Sequence, residues 1–508
     1  MSTDGDDPHG HDPRARRRGD PRKPRARRGG RRRKGLPRPL RRVDEQLGIV
    51  TLANAAFRRV FPDHWSFLLG QIALSSFVVI LLSGIYLTFF FTPDTRQTVY
   101  DGPYAPLHGA RVSATFDSVM RLSFQVRAGL LMRQAHHWAA LVFVAAIVVH
   151  LCRVFFTGAF RRPRQVNYLI GFVLLILAIA DGLTGYTLPD DLLSGISLRI
   201  IYSAALGIPV VGTWVAFLIF GGEYPTADLI SRFYIFHVAL LPALLIGALL
   251  LHLALVVWQK HTQFPGPGRT ESNVVGKRLW PVQIFKYVAV WLLTASVLAL
   301  LGGLAQINPV WQYGPYDPNE VTSPAQPDWY NGWLDGILRL APPWDFHIFG
   351  YLVSELFLPG LVVPAVLLGL VAAWPFIEVR FTKDLREHHL LDRPRDVPFR
   401  TATGVAGLSI FFVLFLAGGN DVIAALLYVP VETVTRILQV LIFAAPVVCW
   451  VVTYYTCRRL RDTGIHPGQP SAGVVLRRTA SGDYETIPLG ESAGSPDHER
   501  QADRGRRD

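Results

Sequence analysis

Cysteine is scarce in this chain: Cys152, Cys449 and Cys457 are the only three, and no CxxC or CxxCH spacing occurs. That excludes a disulfide scaffold, iron–sulfur ligation within the chain and c-type haem attachment. Charge is also sparse, at 18% Asp, Glu, Lys and Arg, and its positive surplus is concentrated at one end. Residues 1–42 hold 16 Lys/Arg against five Asp, which accounts for 11 of the net +13. The rest is nearly neutral, so no distributed basic surface for nucleic acid exists. The basic run is interleaved with Pro and Gly and has no apolar stretch, which predicts a disordered cytoplasmic tail drawn to anionic lipid, with RNA binding as the alternative reading. No short apolar core or small-residue cleavage site follows it, so a signal peptide is not expected.

What the chain has in abundance is apolar sequence: half its residues are hydrophobic and 12% are aromatic. A spanning helix needs about 20 largely apolar residues. Eight windows qualify, at 65–92, 136–157, 166–188, 234–258, 284–306, 348–376, 402–418 and 434–456. An even number places both termini on one side. The segments on that side are basic (Arg161, Arg162, Arg164; Lys260, Arg269, Lys277, Arg278; Arg380 to Arg400), whereas the 306–347 loop has Arg339 alone and the 418–433 loop has no Lys or Arg. Both termini are therefore expected in the cytoplasm of a cell (plasma) membrane protein. The 93–133 loop, with five arginines, departs from the rule. The fold expected is an all-α membrane protein of eight transmembrane helices. Its first four form a bundle in residues 43–282, further helices follow in 283–460, and 461–508 is a cytoplasmic tail with a short extended piece at Ala472–Leu476.

Histidines inside these windows set the function. His136 and His150 lie 14 residues apart, which on a helix is about 21 Å along the axis and only about 40° out of line. His237 and His252 lie 15 apart in the fourth window, about 60° out of line. His137 is about 140° from His150 on the same helical wheel, so His136 is the better candidate of the adjacent pair. Two antiparallel helices would oppose His136 to His237 and His150 to His252. Imidazole pairs above and below a flat iron porphyrin hold a haem that passes single electrons, which predicts two non-covalent bis-His haems b. Gly70 and Gly84, also 14 apart, would let a porphyrin edge approach the first helix, with small-residue helix packing as the alternative. Arg133, Arg153 and Arg232 flank the histidines as partners for haem propionates or as interfacial anchors.

At this point residues 60–460 resemble the cytochrome b family of bc-type complexes, closely its actinobacterial branch. The resemblance rests on LLGQ and LSGIYL followed by FTPD, RQAHH with VVHLCR, GYTLPDDLLSGISLR, RFYIFH with LLLH, and QINPVWQYGPYDPNE with QPDWY. It implies a quinol–cytochrome c reductase subunit, with an outer quinol site drawn from Pro327, Asp328, Trp329, Tyr330 and the Gly185–Pro189 segment. Asp328 stands where relatives often have Glu, and is implied to help take the quinol proton. The resemblance further implies that one electron goes to a Rieske iron–sulfur subunit and the other crosses both haems to reduce quinone at an inner site, for which Lys260 and His261 are candidates. Menaquinol as carrier, a c-type cytochrome subunit, a dimeric complex, association with a terminal oxidase and a part in proton translocation belong to the same implication. Ser197 stands where relatives often have glycine. The 15-residue spacing is one longer than in mitochondrial relatives and predicts a slightly rotated inner haem. A di-haem dehydrogenase anchor would lack the PDWY loop, and a transporter would lack the paired histidines.

Overall fold

Inside a bilayer no water is available to backbone N–H and C=O groups, so the apolar windows must satisfy them within helices. The computed structural model describes residues 57–224, 226–320, 326–463 and the backbone of 474–478 and 484–488. The basic segment 1–42 lies outside the described residues.

The helices of eight or more residues, in chain order, are α1 (Trp65–Thr88), α2 (Ala114–Phe124), α3 (Gly129–Phe156), α4 (Gln165–Tyr186), α5 (Leu192–Leu206), α6 (Gly212–Phe220), α7 (Leu229–Trp258) and α8 (Leu279–Leu304). They continue with α9 (Gly332–Leu340), α10 (Leu358–Thr382), α11 (Pro398–Gly418), α12 (Asn420–Leu427) and α13 (Val431–Asp462). Among the described residues eight are long and apolar enough to span: α1, α3, α4, α7, α8, α10, α11 and α13. Their outward faces expose large apolar side chains such as Leu250, Phe285, Leu304 and Phe443. An apolar surface of this extent suits lipid and not water.

The sixth span starts later than its window suggests, at Leu358, because Phe346–Ile348 and Tyr351–Val353 form an antiparallel hairpin. Its turn residues Phe349 and Gly350 both have positive φ. The eighth span extends past its window to Val431 and Asp462. In the C-terminal segment the expected extended piece is the strand Val474–Arg478, paired antiparallel with Tyr484–Pro488.

Within the first half α1 packs on α3 and α4 on α7, with α3 also touching α4; α8 closes against α1 and α3. Phe77, Val144, Leu174, Leu175, Ala178 and Leu245 meet at its centre, between two cavities at different depths. In the second half α11 packs on α13 and α9. The short helix α5 does not span. Asp191 caps it through a reciprocal pair with Ser194, satisfying donors that the helix start leaves open. The segment before it is stitched to a distant loop, since Leu192 N donates to Gly314 O at 3.0 Å and Tyr316 N to Asp190 O at 3.0 Å.

The unequal histidine spacing has a local cause. Phe236–Leu240, which contains His237, is a turn of π-helix, followed by Pro242. A π turn absorbs one extra residue, so the 15-residue interval is taken up next to His237 and need not rotate the inner end of α7.

Candidate functional site

Glycines decide where the four histidines sit. A Cβ on Gly84 would lie 3.1 Å from the His136 ring, one on Gly70 3.5 Å from His150, one on Gly171 3.3 Å from His252, and one on Gly185 would overlap His237. Each ring therefore presses against backbone that carries no side chain. Gly70 and Gly84 come from α1, Gly171 and Gly185 from α4, and both intervals are 14 residues. Gly171 is absent from the sequence-based candidates, although the repeat in α4 was there to be found.

The outer cavity, about 240 Å³, is lined by His136, His237, Gly84, Gly185, Arg133, Asp181, His137, Asp328 and Tyr330 among others. The His136 and His237 ring centroids are 6.0 Å apart. Their Nδ1 atoms are engaged away from each other: His136 Nδ1 with Ser83 Oγ at 3.0 Å, and His237 Nδ1 donating to the Asp181 carbonyl at 3.0 Å. That leaves the two Nε2 atoms for a shared partner, and the gap suits one metal atom bonded at about 2 Å to each nitrogen. The inner cavity, about 530 Å³, is lined by His150, His252, Gly70, Gly171, Arg153, Lys260 and His261 among others.

Two of the three flanking arginines line the cavities. Arg133 and Arg153 line the outer and inner cavities respectively. Arg133 donates to the Asn308 carbonyl at 3.1 and 3.2 Å while its Nε stays buried without a partner; Arg153 leaves Nε and Nη2 buried and unpartnered. Buried cationic donors without partners suit an anionic group such as a propionate. Arg232, in contrast, packs against Gly221 and donates to the Leu218 carbonyl at 3.2 Å, outside the cavity lining.

At the PDWY segment, Asp328 and Tyr330 reach the outer cavity, whereas Pro327 and Trp329 do not line it; Trp329 stands edge-on to Tyr330 at 6.0 Å. The Asp328 carboxylate accepts from His137 Nε2 at 2.9 and 3.0 Å and from the Tyr330 hydroxyl at 3.2 Å. Burial and the adjacent Asp328 carboxylate push the Tyr330 hydroxyl well above its ordinary pKa, so it remains a donor. The sequence had assigned no role to His137. One residue ahead of Pro327, Gln326 Nε2 donates to Asp421 at 2.9 Å, and Arg339 Nη1 donates to the same carboxylate at 2.8 Å. Arg339, the one Lys or Arg in the sequence of the 306–347 loop, thus braces the start of the PDWY segment from α9 to α12. Ser197 donates to the Leu193 carbonyl at 3.0 Å, and the close approach in this stretch belongs to Gly195, against Tyr316.

At the inner cavity His261 is held near a pKa of about 4 by burial, then by Arg164 and Arg59. Arg164, 8% exposed, donates to the carbonyls of His388, Gln259 and Lys260 at 2.6, 3.1 and 3.1 Å, fixing the wall beside it.

The family model described as "Cytochrome b(N-terminal)/b6/petB" matches residues 141–315. The chain is 47% identical over 447 residues to the "Cytochrome bc1 complex cytochrome b subunit" of Streptomyces coelicolor, covering 87% of this chain and 81% of the relative. It is 48% identical over 469 residues to the subunit of the same name from Mycobacterium tuberculosis, covering 89% of this chain and 83% of the relative. Among solved structures, a chain of "Hyperthermophilic respiratory Complex III" superposes with a TM-score of 0.61 at 19% identity, covering 82% of this chain and 99% of that one. At that identity the likeness concerns the fold alone.

Proposed function

This chain belongs to the cytochrome b subunits of actinobacterial cytochrome bc1 complexes, and from that premise we propose that it is the di-haem, quinol-oxidising subunit of a quinol–cytochrome c reductase. The observation that carries it is the matched set of four histidines and four glycines at two depths. His136 and His237 would hold the outer haem b, His150 and His252 the inner one, with Arg133 and Arg153 neutralising propionates. When bound, the two groups supply one-electron carriage between the membrane faces.

The chain's own residues do the rest. Quinol enters the outer cavity beside Asp328 and Tyr330. Asp328 takes a quinol proton on its carboxylate. His137 holds that carboxylate in place through its Nε2–H, and the Tyr330 hydroxyl fixes the Oδ2 side. Asp191 and Arg133 face the same cavity and set its polarity. At the inner cavity Lys260 and His261 stand where a quinone carbonyl would need donors, and His261 in its neutral form offers one N–H. Apolar side chains between the cavities keep water out of the middle of the membrane.

Partners follow from the family: a Rieske iron–sulfur subunit to accept one electron at the outer site, and a c-type cytochrome subunit beyond it. A dimeric complex associated with a terminal oxidase, menaquinol as carrier and a contribution to proton translocation are inferred from the actinobacterial likeness. The basic loops support a reading in which both termini lie on the cytoplasmic side of the plasma membrane. The deciding experiment is the reduced-minus-oxidised and pyridine-haemochrome spectrum of the purified complex, quantified per chain. Two b-type haems per copy of this subunit are expected, lost in pairs of variants as the ligand assignment dictates; a single haem would remove the assignment.

A further inference from the structure

The fourth helix carries a second repeat beneath its glycines. Four residues before Gly171 stands Asn167, and four residues before Gly185 stands Asp181. On a helix an i, i+4 pair shares a face, so each polar residue accompanies one histidine. Asn167 lines the inner cavity beside His252, and Asp181 lines the outer cavity beside His237. Both are buried, at 6% and 9% exposure, and the Oδ1 of each has no hydrogen-bond partner among the described residues. The two side chains have nearly the same shape and differ in one respect: Asn ends in a neutral amide and Asp in a carboxyl group.

Their contacts run in parallel. His237 Nδ1 donates to the Asp181 carbonyl at 3.0 Å and lies 3.1 Å from Asp181 Oδ1, short of the angle of a formed bond to that oxygen. On the inner side the Asn167 carbonyl faces His252, whose Nδ1 closes no hydrogen bond. An acid within a spanning helix is costly and is kept where it has a partner or a function. Asp181 is the one acid in α4, and the partner within reach is the ligand histidine.

We propose that Asp181 sets the reduction potential of the haem held by His237, and that Asn167 is its neutral counterpart at the inner haem. A carboxylate beside the Nδ1–H of a ligand histidine draws that proton and raises electron donation from Nε2 to the metal. Greater donation and a nearby negative charge both favour the oxidised, more positive state, so the outer potential is lowered. Asp181 acts through His237 and is a positioning residue. The inference rests on the two-haem assignment above.

The test is an optically monitored potentiometric titration of the purified complex, reading the two b-type haems separately. Asp181→Asn should raise the outer potential and leave the inner one in place. Asn167→Asp should lower the inner potential and leave the outer one in place. If Asp181→Asn fails to load its haem, the reciprocal variant decides alone: a fall at the inner haem supports the proposal, and no change overturns it. Unchanged potentials in a fully loaded Asp181→Asn complex overturn it as well, including where turnover drops, because Asp181 would then act on quinol and not on the haem. Failure to find two b-type signals in the wild-type complex would instead refute the functional assignment on which the inference stands.

Discussion

His136 and His137 are adjacent in sequence, yet their rings leave α3 in different directions and meet different partners. His136 faces Gly84 and His237; His137 Nε2 donates to Asp328. Replacing His137 by Ala should therefore leave both haems in place and reduce quinol turnover about tenfold, the loss of one charge-assisted hydrogen bond. Replacing His150 or His252 by Ala should remove the inner haem. Haem content and quinol-to-cytochrome turnover on the same preparations check both, and loss of a haem in the His137 variant would show that the wrong neighbour had been chosen. Asp328→Asn keeps the volume and removes a proton acceptor, so turnover should fall by about 10²-fold with haem content intact; an undiminished rate would move the proton to another base. His261 gives a pH test. Its folded-state pKa, about 4, lies below the ordinary value of 6.5 because burial, Arg164 and Arg59 disfavour the cation. The unfolded chain thus binds a proton first, and the stability attached to neutral His261 is complete above pH 6.5 and lost as pH falls toward 4. Thermal unfolding across that window should show the wild type losing stability relative to His261→Gln, with the two equal near pH 8.

Among elements, α1 and α4 act as walls whose glycines admit the histidine rings of α3 and α7. A methyl group on Gly185 would overlap His237, whereas one on Gly70 would stand in ordinary contact, 3.5 Å from His150. Gly185→Ala should thus displace His237, cost about 1–3 kcal/mol of packing and deplete the outer haem, while Gly70→Ala keeps the inner one. Difference spectra of the two variants separate these outcomes. The π turn at Phe236–Leu240 belongs to the same scale: periodicity alone put His237 about 60° away from His252, and only a local change of helix type reconciles that angle with two cavities on one face. Apolar run length found the spans, because burial in lipid demands long apolar stretches. It misplaced the start of the sixth, where residues 348–353 are apolar enough to read as helix but belong to a hairpin that begins at Phe346.

Across the whole molecule, charge is unevenly distributed: the N-terminal 42 residues carry 11 of the net +13. Deleting residues 1–40 should leave haem content and turnover unchanged, since no haem spacing or quinol motif lies there. The contribution expected of this segment is electrostatic, with each juxtamembrane Lys or Arg adding on the order of 1 kcal/mol toward anionic lipid. Lost turnover in a fully assembled, haem-replete deletion would assign the tail a direct part in electron or proton transfer. The sequence by itself determined the spans, the paired spacing of the four histidines and the PDWY segment, because bilayer thickness and helical pitch convert spacing in the chain directly into depth and direction. It could not determine that His137 reaches Asp328 from 191 residues away, that Arg232 turns from the cavity toward Leu218, or that Asp181 lies under His237. Those depend on how separate helices rotate against one another, which is set by the packing of glycines, rings and loops from distant parts of the chain, and only the tertiary structure contains it.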